Sequence, residues 1–199
     1  MHGTRVRAAI LILLGLTLLC GLALTRAGAA DTPPAASALP NETPAHFVPR
    51  TDSFDYVRRD EMIPMRDGVK LKTVILIPKG VQHAPILLTR TPYGADSRLE
   101  DRPSAHLSEV IDSTDVADDA VVNGGYIRVL QDIRGKHGSE GDYVMTRPLK
   151  GPMNSTEVDH STDAYDTIDW LVKNIPESNG KVGILGISYD GFTDRKSVV

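Results

Sequence analysis

Three short apolar runs constrain the fold of this chain most. They are "APILLTRTPYG" (84–94), "GYIRVLQDIRG" (125–135) and "KVGILGIS" (181–188). Each is nearly continuous rather than alternating, so a strand built from it has to be covered on both faces. A parallel sheet meets that demand, because its crossover helices pack above and below. The intervening segments carry helical spacing. "DVADDAVVNGG" (115–125) places Val116, Ala120 and Val121 on one face and ends in Asn-Gly-Gly, a helix-stop signal. "STDAYDTIDWLVKNIP" (161–176) places Ala164, Tyr165, Ile168, Leu171 and Val172 on one face. Its Asp163 and Asp166 sit early, Lys173 sits late, and Pro176 stops it. Ahead of these, "YVRRDEMIPM" (56–65) and "KLKTVILIP" (70–78) flank the turn signal Arg66-Asp67-Gly68 and predict a β-hairpin. The order hairpin, β, α, β, α, β predicts an α/β fold with a mostly parallel sheet over residues 51–193.

The N-terminal fifty residues read differently. Arg5 and Arg7 precede an apolar run from Ala8 to Leu24, followed by Ala27-Gly28-Ala29-Ala30. A positive start, an apolar stretch and a small-residue site are the layout of a secretory signal peptide, here 1–30. Its contact with the membrane is then transient, and the product is exported to the periplasm or the medium. Residues 31–50 hold five prolines and few large apolar groups, which predicts a flexible leader. Cys20, the only cysteine, lies inside the signal, so cysteine catalysis, disulfides and zinc–thiolate sites are excluded from the mature chain. A net charge of −4 and the lack of any later Lys/Arg run give no field for nucleic acid.

The third apolar run leads into Gly186-Ile187-Ser188-Tyr189-Asp190-Gly191, a G-x-S-x-G motif, and "YDGFT" after the serine can open a helix. A strand, a sharp turn and a helix are the context that gives this motif chemical meaning. The turn holds the serine in a strained backbone conformation and lifts its hydroxyl clear of the sheet. Side chains at Gly186 or Gly191 would collide across that turn. Ser188 is the candidate nucleophile, and the Tyr189 backbone N–H points toward the oxyanion that forms on the acyl carbon. A serine nucleophile needs a base and an orienting carboxylate, which in this fold follow it in the order acid, then histidine. All six histidines precede Ser188, and His137 and His160 read as loop and helix-start residues rather than as a relocated base. Asp190 and Trp170 read as a turn residue and a core anchor. Asp132, Arg134 and Asp142, within "QDIRGKHGSEGD", read as a glycine-rich loop tied by ion pairs.

The segments "EMIPMRDGVKL", "PILLTRTPYG", "GGYIRVLQDIRGKHGSEGDYVMTRPL" and "STDAYDTIDWLVKNIPESNGKVGILGISYDGFT" together resemble the α-amino acid ester hydrolases. These belong to the group of serine hydrolases that includes cocaine esterase and the X-Pro dipeptidyl peptidases. The resemblance covers about residues 54–193 and implies the N-terminal half of an α/β-hydrolase fold, ending at the nucleophile turn. It implies Ser188 as nucleophile, the Tyr189 N–H as one oxyanion donor, and the Tyr93 phenol in "RTPYG" as the second. Tyr93 suits that part, because it follows a buried strand in a loop at the carboxyl edge of the sheet, where open α/β sheets bind ligands. The substrates implied are small-molecule amino acid esters, with acyl transfer to water or to an amine such as a β-lactam nucleus. No cofactor or metal is implied.

The family continues past the turn with a helix, the triad acid and histidine, and carboxylates that hold the substrate's α-ammonium. Here Thr193 is followed by "DRKSVV" (194–199), an atypical tail. The expectation is therefore an incomplete N-terminal portion, inactive alone, of a longer enzyme for which a homo-oligomer stays open. An X-Pro dipeptidyl peptidase or a broad carboxylesterase is the alternative within the group, and an inactive exported remnant is the alternative outside enzymes.

Overall fold

A computed structural model describes residues 52–100, 103–111 and 118–195. The expected signal peptide, the leader, Val116 and residues 196–199 lie outside the described residues. Among the described residues five strands form one sheet: β1 (Tyr56–Pro64), β2 (Lys70–Pro78), β3 (Ala84–Thr91), β4 (Ile127–Asp132) and β5 (Ser178–Ile184). Their spatial order is β1-β2-β4-β3-β5. The described helices are α1 (Ser97–Glu100), α2 (Leu107–Ile111), α3 (Asp118–Asn123), α4 (His160–Asn174) and α5 (Tyr189–Arg195). The predicted hairpin is present, with Met65 and Val69 closing its turn. β2 also runs antiparallel to β4, whereas β3 is parallel to both β4 and β5. The sheet is therefore mixed, and its parallel part begins at β3.

Apolar side chains alternate between the two faces and feed two cores. Leu71, Ile75 and Ile77 of β2 join Ile86, Leu88, Ile127 and Val129 against Leu171 and Ile175 at the end of α4. Val74 and Leu76 point the other way, with Leu130, and meet Leu107, Val110, Ile111 and Val121 of α2 and α3. This double cover is why β2 is apolar on both parities. Among the described residues β1 is an edge strand, and its exposed Arg58 and Asp60 discourage pairing with another chain. β5 departs from the expected burial on both faces: its residues are half-buried or exposed, and among the described residues it is hydrogen-bonded only to β3.

α4 starts one residue earlier than its spacing predicted. Asp159 caps it, accepting from Ser161 N at 2.8 Å and Thr162 N at 2.9 Å, while Thr162 Oγ1 accepts from Asp159 N at 2.8 Å. This reciprocal box satisfies donors that a helix start otherwise leaves unpaired. The buried face also differs from the apolar stripe. Ala164 and Leu171 are buried, but Tyr165 and Val172 are 65% and 42% exposed. Asp163 and Thr167 are buried in their place. The reason lies in the sheet beneath, where β3 and β4 present Arg90 and Gln131 to the helix. Thr167 Oγ1 donates to the Asp163 carbonyl at 2.7 Å and lies 3.1 Å from Gln131 Oε1, which accepts from Arg90 Nε at 2.9 Å. A polar seam, rather than apolar spacing, sets the helix rotation. In α3, Val121 is buried as expected, Ala120 is exposed, and Val122 packs on the core instead. Trp170 packs on the core at its margin.

Candidate active site

β5 delivers the chain to the turn, and the backbone there is clamped on every side. Leu185 N donates to the Leu88 carbonyl at 2.9 Å, and Thr89 Oγ1 donates to the Leu185 carbonyl at 2.7 Å. Beyond the serine, Phe192 N donates to the Ser188 carbonyl at 3.0 Å, and Thr193 Oγ1 donates to the Arg90 carbonyl at 2.8 Å. Between these anchors Ser188 takes φ +58°. A non-glycine residue in the left-handed region costs on the order of 1–3 kcal/mol and persists only where its surroundings hold it. The expected collision is present in detail. A Cβ on Gly186 would lie 2.3 Å from the Asp190 carbonyl carbon, and one on Gly191 would lie 2.8 Å from the Gly186 oxygen. The two glycines therefore face each other across the turn, and the Ser188 side chain is left exposed. Tyr189 opens α5, so its N–H has no acceptor within the helix.

Tyr93 lies beyond the carboxyl end of β3, as expected, and is 51% exposed. Its loop is fixed from several directions. Tyr93 N donates to Thr91 Oγ1 at 3.0 Å, and Ala95 N donates to Asp132 Oδ1 at 2.6 Å. The His137 imidazole is 2.9 Å from the Pro92 carbonyl, and Asp96 pairs with both Lys72 and Arg58. Gly94 has φ +96°, and a Cβ there would meet Ser97 Oγ at 2.7 Å and the His137 ring at 3.3 Å. Asp132 thus organises backbone N–H groups of two loops, Ala95 and Gly138, rather than an ion pair. Asp142 is exposed.

Arg134 forms the ion pairs expected of that loop, to Asp163 at 2.6 Å and Asp67 at 2.7 Å. Burial alone would lower its affinity for the proton, but the two carboxylates outweigh that and raise it. Asp190 is more than a turn residue. It is 2% exposed and accepts from Arg98 Nη2 of α1 at 2.5 Å. Neither Arg98 nor Tyr143 was singled out from sequence. The Arg98–Asp190 pair spans 92 residues and leaves no local signal.

Three phenols gather beside the turn. The Tyr189 hydroxyl donates to the Met145 carbonyl, and its proton affinity is raised by burial first, then by the neighbouring phenols of Tyr143 and Tyr93. It therefore stays a neutral donor across the working pH range. Phe192, one helical turn after Ser188, contacts Tyr189 with ring centroids 5.4 Å apart and His160 at 6.1 Å. His160 is buried under α5, beside the Val144 and Met145 carbonyls. Burial first, and then the Arg90 charge, lower its pKa below the ordinary 6.5. The neutral imidazole is thus the folded form, while the unfolded chain takes up a proton near 6.5, so stability is lost as pH falls through and below that value. His160→Gln is expected to flatten this limb of the unfolding midpoint against pH; an unchanged limb assigns it to other groups. No histidine among the described residues hydrogen-bonds the Ser188 hydroxyl.

Residues 67–196 match the family model described as X-Pro dipeptidyl-peptidase (S15 family). The chain belongs to that family. Among its members' relatives, cocaine esterase of Rhodococcus sp. (strain MB1 Bresler) is 33% identical over 144 residues, covering 72% of this chain and 21% of that protein. Two solved structures are more similar. An α-amino acid ester hydrolase is 60% identical with a TM-score of 0.71, covering 80% of this chain and 25% of that one. An aminopeptidase from a marine sediment archaeon, Thaumarchaeota archaeon, is 59% identical with a TM-score of 0.72, covering 78% and 25%. The S15 chain therefore spans about a fifth to a quarter of the length of these three relatives. The fold is the α/β-hydrolase fold of this group, and the activity of the family is hydrolytic, on esters or peptides.

Proposed function

We propose that residues 52–195 carry the nucleophile and oxyanion hole of an exported serine hydrolase that opens α-amino acid esters. The observation that carries this is Ser188 at φ +58°, its side chain exposed, on a strand-to-helix turn that admits only glycine at 186 and 191. The Ser188 oxygen attacks the acyl carbon and gives its proton to a histidine that the described residues do not supply. The Tyr189 N–H and the Tyr93 phenol stabilise the oxyanion. The ester C–O bond breaks, the alcohol leaves with the proton, and water or an amine releases the acyl group from Ser188. No cofactor enters these steps. On this account turnover needs a base that the described residues do not supply.

The choice of an amino acyl group rests on the similar structures. One is named for esters of α-amino acids and the other for an aminopeptidase, at 60% and 59% identity. What the two names share is an acyl group bearing a free amine. Tyr93→Phe removes one oxyanion donor and is expected to lower kcat by about 10²–10³ with little change in KM. The S15 match and the cocaine esterase likeness favour a second reading, an X-Pro dipeptidyl peptidase or a broad carboxylesterase. A phenylglycine ester and a Gly-Pro anilide, offered to the whole protein, separate the two. Preference for the ester supports the first, and preference for the anilide replaces it with the second.

A further inference from the structure

Arg98 touches both loops that flank the reacting atoms. Its Nη2 donates to Asp190 Oδ2 at 2.5 Å, two residues after Ser188 in the first turn of α5. Its guanidinium carbon also lies 5.7 Å from the centroid of the Tyr93 ring. The Asp190 carboxylate is almost fully buried, and the Arg98 side chain is only 21% exposed, so the pair is shielded from solvent screening. The guanidinium is planar and always charged, and so can pair with a carboxylate at its edge while an aromatic ring lies against its face. The Tyr93 ring itself is half-exposed, and its main-chain anchors do not fix the ring. The ring needs a partner in order to hold one direction.

We propose that Arg98 is a positioning residue: it holds the Tyr93 phenol in register with the Ser188–Tyr189 turn, joining the two halves of the oxyanion hole through Asp190. This rests on the serine hydrolase assignment above and adds a residue to it. Arg98 touches no reacting atom. Its effect passes through the Tyr93 hydroxyl alone, and so disappears when that hydroxyl is absent.

A double-mutant cycle on the whole protein tests this, with kcat and KM for a phenylglycine ester and the thermal midpoint of each variant. Arg98→Met is expected to lower kcat by about 10²-fold, the cost of a misplaced catalytic group, with KM held. In the Tyr93→Phe background the same substitution is expected to leave kcat unchanged, because the hydroxyl it positions is gone. Equal losses in both backgrounds would overturn the proposal and leave Arg98 a purely structural residue. If Arg98→Met does not fold, Arg98→Lys keeps a charge beside Asp190 and is read through the same cycle. Ser188→Ala separates the two levels: if it retains turnover the serine assignment itself falls, whereas an inactive Ser188→Ala with an additive cycle removes only the role of Arg98.

Discussion

Ser188→Ala is expected to lower kcat of the whole protein by on the order of 10⁶, with a fold and a midpoint that match the parent. The size follows from the chemistry. Without the hydroxyl no acyl-enzyme forms, and only binding and the oxyanion donors remain to favour attack by water. Stability should be spared, because the Ser188 side chain is exposed and makes no packing contact that alanine lacks. The left-handed backbone at 188 suits alanine no better than serine, so the strain is unchanged. Kinetics and a thermal scan of the two proteins measure both effects. A drop of less than about a hundredfold would mean that a different group attacks, since even one oxyanion donor is worth that much.

Asp163→Ala is the second large effect, and it acts on stability. Asp163 is 2% exposed and pairs with Arg134 at 2.6 Å. It also lies 4.0 Å from Arg90 Nη2, and Arg90 is fully buried between β3 and α4. Removing the carboxylate leaves two cations facing each other across the seam, and breaking a buried pair in this way costs about 3–5 kcal/mol. That is a large share of a typical domain stability of about 5–15 kcal/mol. Asp67→Asn is the comparison. Asp67 shares Arg134 from the hairpin turn, but its side chain is 31% exposed, so its loss is expected to cost only about 1 kcal/mol or less. Urea unfolding of the two variants reads the difference. Equal costs would mean that Arg90 and Arg134 do not depend on Asp163.

Most of the fold was legible because its strands are short, apolar and separated by clear punctuation. β2 was bounded to the residue, since Gly68 precedes it and Pro78 ends it. The serine turn was legible for a steric reason: only glycine clears the backbone at 186 and 191, so the motif carries the geometry with it. What stayed hidden is polar and long-range. Tyr165 and Val172 look like core by spacing, yet α4 is rotated by Asp163 and Thr167 meeting Arg90, Arg134 and Gln131. Each of those partners comes from a different strand or loop, and no local period records them. The pairing of Arg98 with Asp190 is the same case across 92 residues. β5 looked doubly covered because "KVGILGIS" is apolar, but burial depends on neighbours that a single segment does not specify. The antiparallel attachment of β2 to β4 is likewise a matter of topology, with no signature in either strand.

The central claim is that Ser188 is the nucleophile, and covalent capture tests it most directly. The whole protein is treated with a fluorophosphonate, digested with trypsin and mapped by mass. Cleavage after Lys181 and Arg195 yields residues 182–195, a peptide whose one serine is Ser188. The adduct is expected on that peptide, at Ser188, and absent after Ser188→Ala. An active protein that stays unlabelled there, or that carries the adduct on another peptide, contradicts the assignment.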